Sequence, residues 1–215
     1  MSAKSLFAAT NLACLRAERL VFTQLDFALG PGEALILRGP NGSGKSSLLR
    51  LMAGLSRPEA GQLTWDGDNI GADAAAHRSR LHFIGHLDGI KPALNVSETL
   101  IFWAGMRDKS RTIDAALDHF RLTRLAPLPC RYLSAGERKR LALARLIATP
   151  AELWLLDEPT TGLDAAAEID LLQAVADHRA GGGRIVIATH APLPVEDAAT
   201  LALDDYTPRP RTIAA

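Results

Sequence analysis

Eight residues constrain this chain more than any others: Gly39-Pro40-Asn41-Gly42-Ser43-Gly44-Lys45-Ser46. They fit the spacing of a phosphate-binding loop in full. An apolar run at residues 34–37 precedes them, and Ser47-Leu48-Leu49-Arg50-Leu51-Met52 follows with helical character. Strand, loop, helix is the context this pattern requires. Glycines let the backbone curl so that successive N–H groups converge on phosphate oxygens. The helix start adds partial positive charge. Lys45 reaches the β- and γ-phosphates as a point charge, Ser46 is placed to ligate Mg²⁺, and Ser47 completes the phosphate-binding set. A glycine-rich turn before a helix is the plain alternative, and so complete a match leaves it little weight. The loop predicts binding of a nucleoside triphosphate. By itself it does not separate a kinase from a GTPase or a transport ATPase.

The rest of the composition narrows the field. At 215 residues, one domain with a small lobe is expected. Lys+Arg and Asp+Glu balance at 24 each, so bulk positive charge does not hold this chain to nucleic acid. The local run Arg138-Lys139-Arg140 reads as the exposed face of a helix. Cys14 and Cys130 stand in no metal-ligand spacing and read as buried, idle thiols. Residues 1–10 do not read as a signal peptide, and no run approaches the ~18 apolar residues of a membrane span. Any membrane role therefore calls for a partner that supplies the spans.

Short strands are expected at residues 12–17, 25–29, 34–37, 62–65 and 81–85. Helical patterns follow at residues 96–104 and 112–121, forming a small lobe at about residues 90–140. A strong helix is expected over 134–148, buried strands over 153–156 and 184–189, and a helix over 165–179. Strand alternating with helix after residue 130 predicts an α/β fold with a mainly parallel sheet. Residues 1–206 read as one domain, and residues 207–215 as a fraying tail.

Leu153-Trp154-Leu155-Leu156-Asp157-Glu158 is an apolar strand ending in two carboxylates. Strand ends of parallel sheets face the ligand crevice. Asp157 is expected to hold Mg²⁺ and Glu158 to act as general base on the attacking water. Adjacent side chains point to opposite sides of a strand, which suits one metal ligand and one base. An acidic pair alone would read as a charged turn. Beside the intact phosphate loop that reading weakens.

Leu133-Ser134-Ala135-Gly136-Glu137 precedes the strong helix. Ser134 and Glu137 form a Ser-x-x-Glu capping box, and a capped helix end is also an anion site. Here the chain resembles the ABC ATPase family, whose signature is Leu-Ser-Gly-Gly-Gln. The resemblance implies a P-loop NTPase core, an N-terminal antiparallel β subdomain and a helical lobe. It implies that Ser134 and Gly136 bind the γ-phosphate of ATP held by a second protomer. Glu137 is then expected to turn back onto its own helix. Pro159-Thr160-Thr161-Gly162-Leu163-Asp164 resembles the D-loop, and Thr189-His190 resembles the switch histidine that contacts the γ-phosphate. Asp164 serves equally as an N-cap.

Two family features depart from pattern. The glutamine expected after the strand at 81–85 is replaced by Gly85-His86-Leu87-Asp88-Gly89, with His86, a backbone group or Asp88 as substitutes. No clear aromatic stands ready to stack on adenine; Phe22 is the candidate, with core packing its equal alternative.

Gly54-Leu55-Ser56-Arg57-Pro58, Gly85-His86 with Gly89-Ile90-Lys91, and Leu133-Ser134-Ala135-Gly136 with Leu141-Ala142-Leu143-Ala144-Arg145-Leu146 are similar to the ATP-binding subunit family of cytochrome c maturation. That resemblance implies an ATP-hydrolysing homodimer with integral membrane subunits at the cytoplasmic face of the bacterial inner membrane. Hydrolysis there serves haem export or haem-chaperone release. No haem binding by this chain itself is expected, and no nucleic acid. The competing readings are a soluble ABC-type ATPase acting on a nucleic-acid or ribosomal partner, and a switch that binds ATP without hydrolysing it.

Overall fold

In the computed structural model, residues 5–106 and 112–208 are described. The strand that leads into the phosphate loop, β3 (Ala34–Arg38), lies inside a parallel sheet. Counting all strands in chain order, its companions are β6 (Leu81–Ile84), β7 (Leu153–Asp157), β8 (Arg184–Ala188) and β9 (Ala199–Ala202). Their spatial order is β6-β7-β8-β3-β9. All five positions of β7 and of β8 are buried, as befits parallel strands covered on both faces.

Alternate residues of these strands feed two cores. Trp154, Leu156, Ile185 and Ile187 face one core. That core is shared with α3 (Val96–Gly105), α4 (Ile113–His119), α5 (Ala135–Ala148) and α6 (Ala165–Ala180). Leu153, Leu155, Val186 and Ala188 face the other, against α1 (Lys45–Met52) and an antiparallel sheet. That second sheet runs β2-β1-β4-β5, built from β1 (Phe7–Arg16), β2 (Arg19–Leu29), β4 (Ala60–Trp65) and β5 (Asp68–Asn69). A short helix, α2 (Ala74–Ser79), connects it to β6. The expected antiparallel subdomain, parallel core and helical lobe are all present. Cys14 and Cys130 are free and buried.

Both first strands start earlier than the apolar runs at 12–17 and 25–29 suggest. Register shifts interrupt the β1–β2 pairing, and Asn11 and Gln24 take positive φ, so the two-residue period breaks along each strand. Gly61 makes one such irregularity possible: a Cβ there would sit 2.2 Å from the Asn11 carbonyl oxygen. The β1–β2 hairpin closes through Ala17 and Glu18, both at positive φ, with Arg16 paired to Arg19. Three elements were not expected: α2, the two-residue strand β5 and the edge strand β9. Of the tail read as fraying, Thr207 and Pro208 are described; the remainder lies outside the described residues.

One packing contact makes this fold sensitive to acid. His178 of α6 stacks on Trp154 of β7, with ring centroids 3.9 Å apart and planes 4° from parallel. Its Nε2 bonds the Arg184 carbonyl at 3.1 Å. Burial pushes its pKa down from 6.5 to about 4. The fold thus favours the neutral ring. Above pH 6.5 the ring is neutral in both states and its contribution is complete. Below it the unfolded chain takes up a proton that the native ring refuses until about pH 4. Stability should fall across that window by on the order of 3 kcal/mol from this residue. Urea unfolding of the wild type and of His178→Phe between pH 7 and pH 4 should show a shallower loss in the variant. Parallel curves would refute the assignment.

Candidate active site

Parallel pairing brings four strand ends to one edge. Leu37 is level with Ala188, Ala188 with Asp157, and Leu156 with Ile84. The phosphate loop follows β3, Glu158 follows β7, Thr189-His190 follows β8, and Gly85-His86 follows β6. A cavity of about 290 Å³ opens between them. Asn41, Gly42, Gly44, Lys45, Ser46 and Ser47 line one side of it, Asp157, Glu158 and His86 another, and Arg16 and Val21 a third.

Gly44 takes φ of 103°, and a Cβ there would lie 2.4 Å from Val21 Cγ1, so only glycine fits beneath the hairpin. The Pro40 carbonyl accepts from Ser43 N at 3.2 Å, which curls the loop. Lys45, 7% exposed, donates from Nζ to the carbonyls of Gly39 at 2.7 Å and Pro40 at 3.1 Å. Ser43 Oγ is buried with no hydrogen-bond partner among the described residues. A loop holding a bent cation and an orphaned hydroxyl fits an anion. Ser46 and Asp157 put a hydroxyl and a carboxylate on the same cavity, a donor set that suits Mg²⁺ completed by phosphate oxygens and water.

Glu158 Oε1 lies 3.0 Å from His190 Nδ1. Its other oxygen, Oε2, is buried without a partner among the described residues. Glu158 takes φ of 45°, a left-handed conformation unusual outside glycine. Its amide bonds the Ala188 carbonyl at 2.8 Å, which fixes the turn. Arg38, last in β3, donates to the carbonyls of Thr189 and Ala191 on either side of His190. Glu158 and His190, expected at two separate strand ends, therefore meet within one chain.

Ser134 and Gly136 are placed elsewhere. They begin α5 and do not line the phosphate-loop cavity. Ser134 Oγ accepts from Glu137 N at 3.3 Å, and Glu137 Oε2 accepts from Ser134 N at 2.7 Å. Glu137 thus turns back onto its own helix end, and those bonds hold its carboxyl below the usual range. A Cβ on Gly136 would stand 3.2 Å from the Gly162 carbonyl, so the signature turn packs on the residues after Glu158. Asp164 caps α6 by accepting from Ala167 N at 2.8 Å.

One reading changes and two that were open narrow. Phe22 is completely buried in the core beside the antiparallel sheet and does not reach the cavity. The Arg138-Lys139-Arg140 run is not an exposed face. Successive helical residues point about 100° apart, and here each finds an inward partner. Arg138 Nε lies 3.5 Å from Asp88 Oδ2, Lys139 Nζ donates to the Glu158 carbonyl at 3.1 Å, and Arg140 donates to the Phe120 carbonyl at 3.4 Å. Burial pulls the Lys139 pKa down, and Asp157, Glu158 and Asp88 oppose that pull. Of the side chains expected to substitute for the absent glutamine, Asp88 is engaged with Arg138 and with Ile90 N at 3.0 Å, and His86 faces the cavity. Lys139 and Arg16 are the site-facing residues that sequence reasoning missed. A basic run without a partner, and an arginine at a hairpin, carry no signal by themselves.

Residues 22–161 match the ABC transporter family. The chain is 52% identical over 213 residues to the cytochrome c biogenesis ATP-binding export protein CcmA of Rhodospirillum rubrum, covering 99% of this chain and 91% of that protein. It is 51% identical to the protein of the same name in Paramagnetospirillum magneticum, over 94% of this chain and 95% of that one. A putative ABC transporter ATP-binding protein from Pyrococcus furiosus shares the fold, with TM-score 0.82 at 19% identity over 94% of this chain and 100% of that one. The ATP-binding subunit of another ABC transporter gives TM-score 0.84 at 24% identity, over 92% and 85%. Identity of one residue in two across nearly the whole length is decisive: the chain belongs to the ABC transporter family, among the cytochrome c biogenesis ATP-binding export proteins.

Proposed function

We propose that this chain hydrolyses ATP as one half of a homodimer bound to integral membrane subunits, and that the cycle drives haem export or haem-chaperone release in cytochrome c biogenesis. The observation that carries the hydrolytic part is Glu158, which lines the phosphate-loop cavity and lies 3.0 Å from His190 Nδ1. Lys45 exchanges its two loop carbonyls for β- and γ-phosphate oxygens, and Ser43 satisfies its orphaned hydroxyl there. Ser46 and Asp157 would hold Mg²⁺, which would neutralise charge on the phosphates. Glu158 accepts the proton of the attacking water, while His190, 3.0 Å from Oε1, fixes the carboxylate's direction. His86 stands in the place of the absent glutamine.

Ser134 and Gly136 lie outside the chain's own cavity, which supports their serving a neighbour's γ-phosphate. Among the described residues no helix is long and apolar enough to cross a membrane. Exposed Leu55 and Met106 border a groove of about 260 Å³ with Trp103, between the core and the helical lobe. In this reading the groove receives a cytoplasmic segment of a membrane subunit, which would hold the chain at the cytoplasmic face of the inner membrane. Relatives named for cytochrome c biogenesis and export support the physiological role.

Glu158→Gln should lower kcat roughly 10²–10⁴-fold, the usual contribution of a general base, and should accumulate an ATP-bound dimer on gel filtration. Unchanged turnover would remove Glu158 from that role. Two variants at Ser134 divide its duties. Ser134→Ala should cost about 1 kcal/mol of stability by losing the cap. Ser134→Asp should keep the cap and the stability yet abolish ATPase activity, because its carboxylate repels the neighbour's triphosphate. Normal turnover in Ser134→Asp would contradict the trans assignment.

A further inference from the structure

Glu158 stands in a backbone conformation that a glutamate does not keep unaided. Its φ of 45° lies in the left-handed region. Outside glycine that conformation persists where the surroundings over-determine it. Here the peptide is held from both sides. The Glu158 amide donates to the Ala188 carbonyl of β8 at 2.8 Å. The Glu158 carbonyl accepts from Lys139 Nζ of α5 at 3.1 Å and from Thr161 N at 3.3 Å. Thr161 belongs to the same turn, so Lys139 is the hold on that carbonyl that comes from a separate element.

The lysine rises from a fixed base. Helix α5 is closed at its start by the Ser134–Glu137 capping box. Leu141, Leu143 and Ala144, in its next turn, are buried in the core that also takes Trp154 and Leu156 of β7. Asp157, Glu158 and Asp88 all act on the Lys139 ammonium. Among the described residues, however, its bond is to the Glu158 carbonyl and not to a carboxylate oxygen. The Glu158 carboxylate is thereby left to His190 and the cavity.

We infer that Lys139 is a positioning residue for hydrolysis: by gripping the Glu158 carbonyl it holds the peptide that aims the Glu158 carboxylate into the phosphate-loop cavity, which Lys139 itself does not line. This rests on the reading of Glu158 as general base. Without the ammonium the carbonyl keeps only Thr161, and the peptide can turn. A small turn misplaces the carboxylate relative to the water and leaves the phosphate loop and Ser46 as they were.

Steady-state hydrolysis of ATP by the full-length chain gives kcat and KM for the wild type and its variants, with thermal melting to confirm folding. Lys139→Met, which keeps the stem and drops the donor, should lower kcat roughly 10- to 100-fold, the scale of a small misplacement of a reacting group. Its KM should stay within about twofold of wild type, because the interaction lost is felt in the chemical step. Lys139→Arg, which keeps a charged donor, should recover kcat to within about fivefold of wild type. Lys139→Met combined with Glu158→Gln should be no slower than Glu158→Gln alone, since a residue that acts through another adds nothing once that other is gone. Unchanged kcat in Lys139→Met overturns the proposal. So does a KM that rises as far as kcat falls, a Lys139→Arg variant as slow as Lys139→Met, or a multiplied loss in the double variant. Should Lys139→Met fail to fold, Lys139→Gln, whose amide stops a bond short of the carbonyl, carries the same expectations. Normal turnover in Glu158→Gln overturns the reading of Glu158 and the proposal with it, whereas normal turnover in Lys139→Met alone overturns the proposal only.

Discussion

Parallel register is the constraint from which the rest of this structure follows. Leu37, Ala188, Asp157 and, one strand over, Ile84 sit at nearly the same height across the sheet. Parallel strands all end on one edge, so residues far apart in the chain arrive together without long loops. The sheet achieves this by burying every position of β7 and β8 between two cores. A shift of one residue in β7 would exchange Leu155 and Leu156 between those cores and carry Asp157 out of level with the phosphate loop. The same packing that stabilises the sheet therefore sets the geometry of the carboxylates.

The start of α5 depends on that edge and acts back upon it. Its cap is closed by Ser134 and Glu137, while Gly136, Arg138 and Lys139 touch the turn at Gly162, the loop at Asp88 and the carbonyl of Glu158. Moving a lysine out of water is costly, and here negative charge on Asp157, Glu158 and Asp88 offsets part of that cost. A strand end carrying two carboxylates is in turn relieved of repulsion by one partly buried cation. The helix that presents the signature turn is thus tied to the strand that carries Glu158.

Much of this was legible in the sequence, and the reasons differ from residue to residue. The phosphate loop and the acidic strand end are local patterns, complete within a few positions, and they stand where expected. The Ser134–Glu137 box is local too. His190 was legible through its order along the chain. The stretch from Arg138 to Arg140 was not, because a charged run looks the same facing water or facing carboxylates until tertiary packing supplies the partners. For Phe22 the sequence left stacking and core packing open, and the packing of β2 against the core settles it as a core residue. Bulges in β1 and β2 hid their length, and β9 joins the sheet as a short edge strand with only Leu201 buried.

The bonds from Lys45 to the carbonyls of Gly39 and Pro40 have a thermodynamic consequence. The lysine is already paired, so an arriving anion must displace an internal ligand. Binding is then an exchange reaction, in which the net gain is the difference between phosphate and carbonyl as acceptors, with loop rearrangement subtracted. Such a loop discriminates by completeness. An anion that reaches only one of the converging donors gains less from this exchange than one that reaches Lys45, Ser43 and the helix start together.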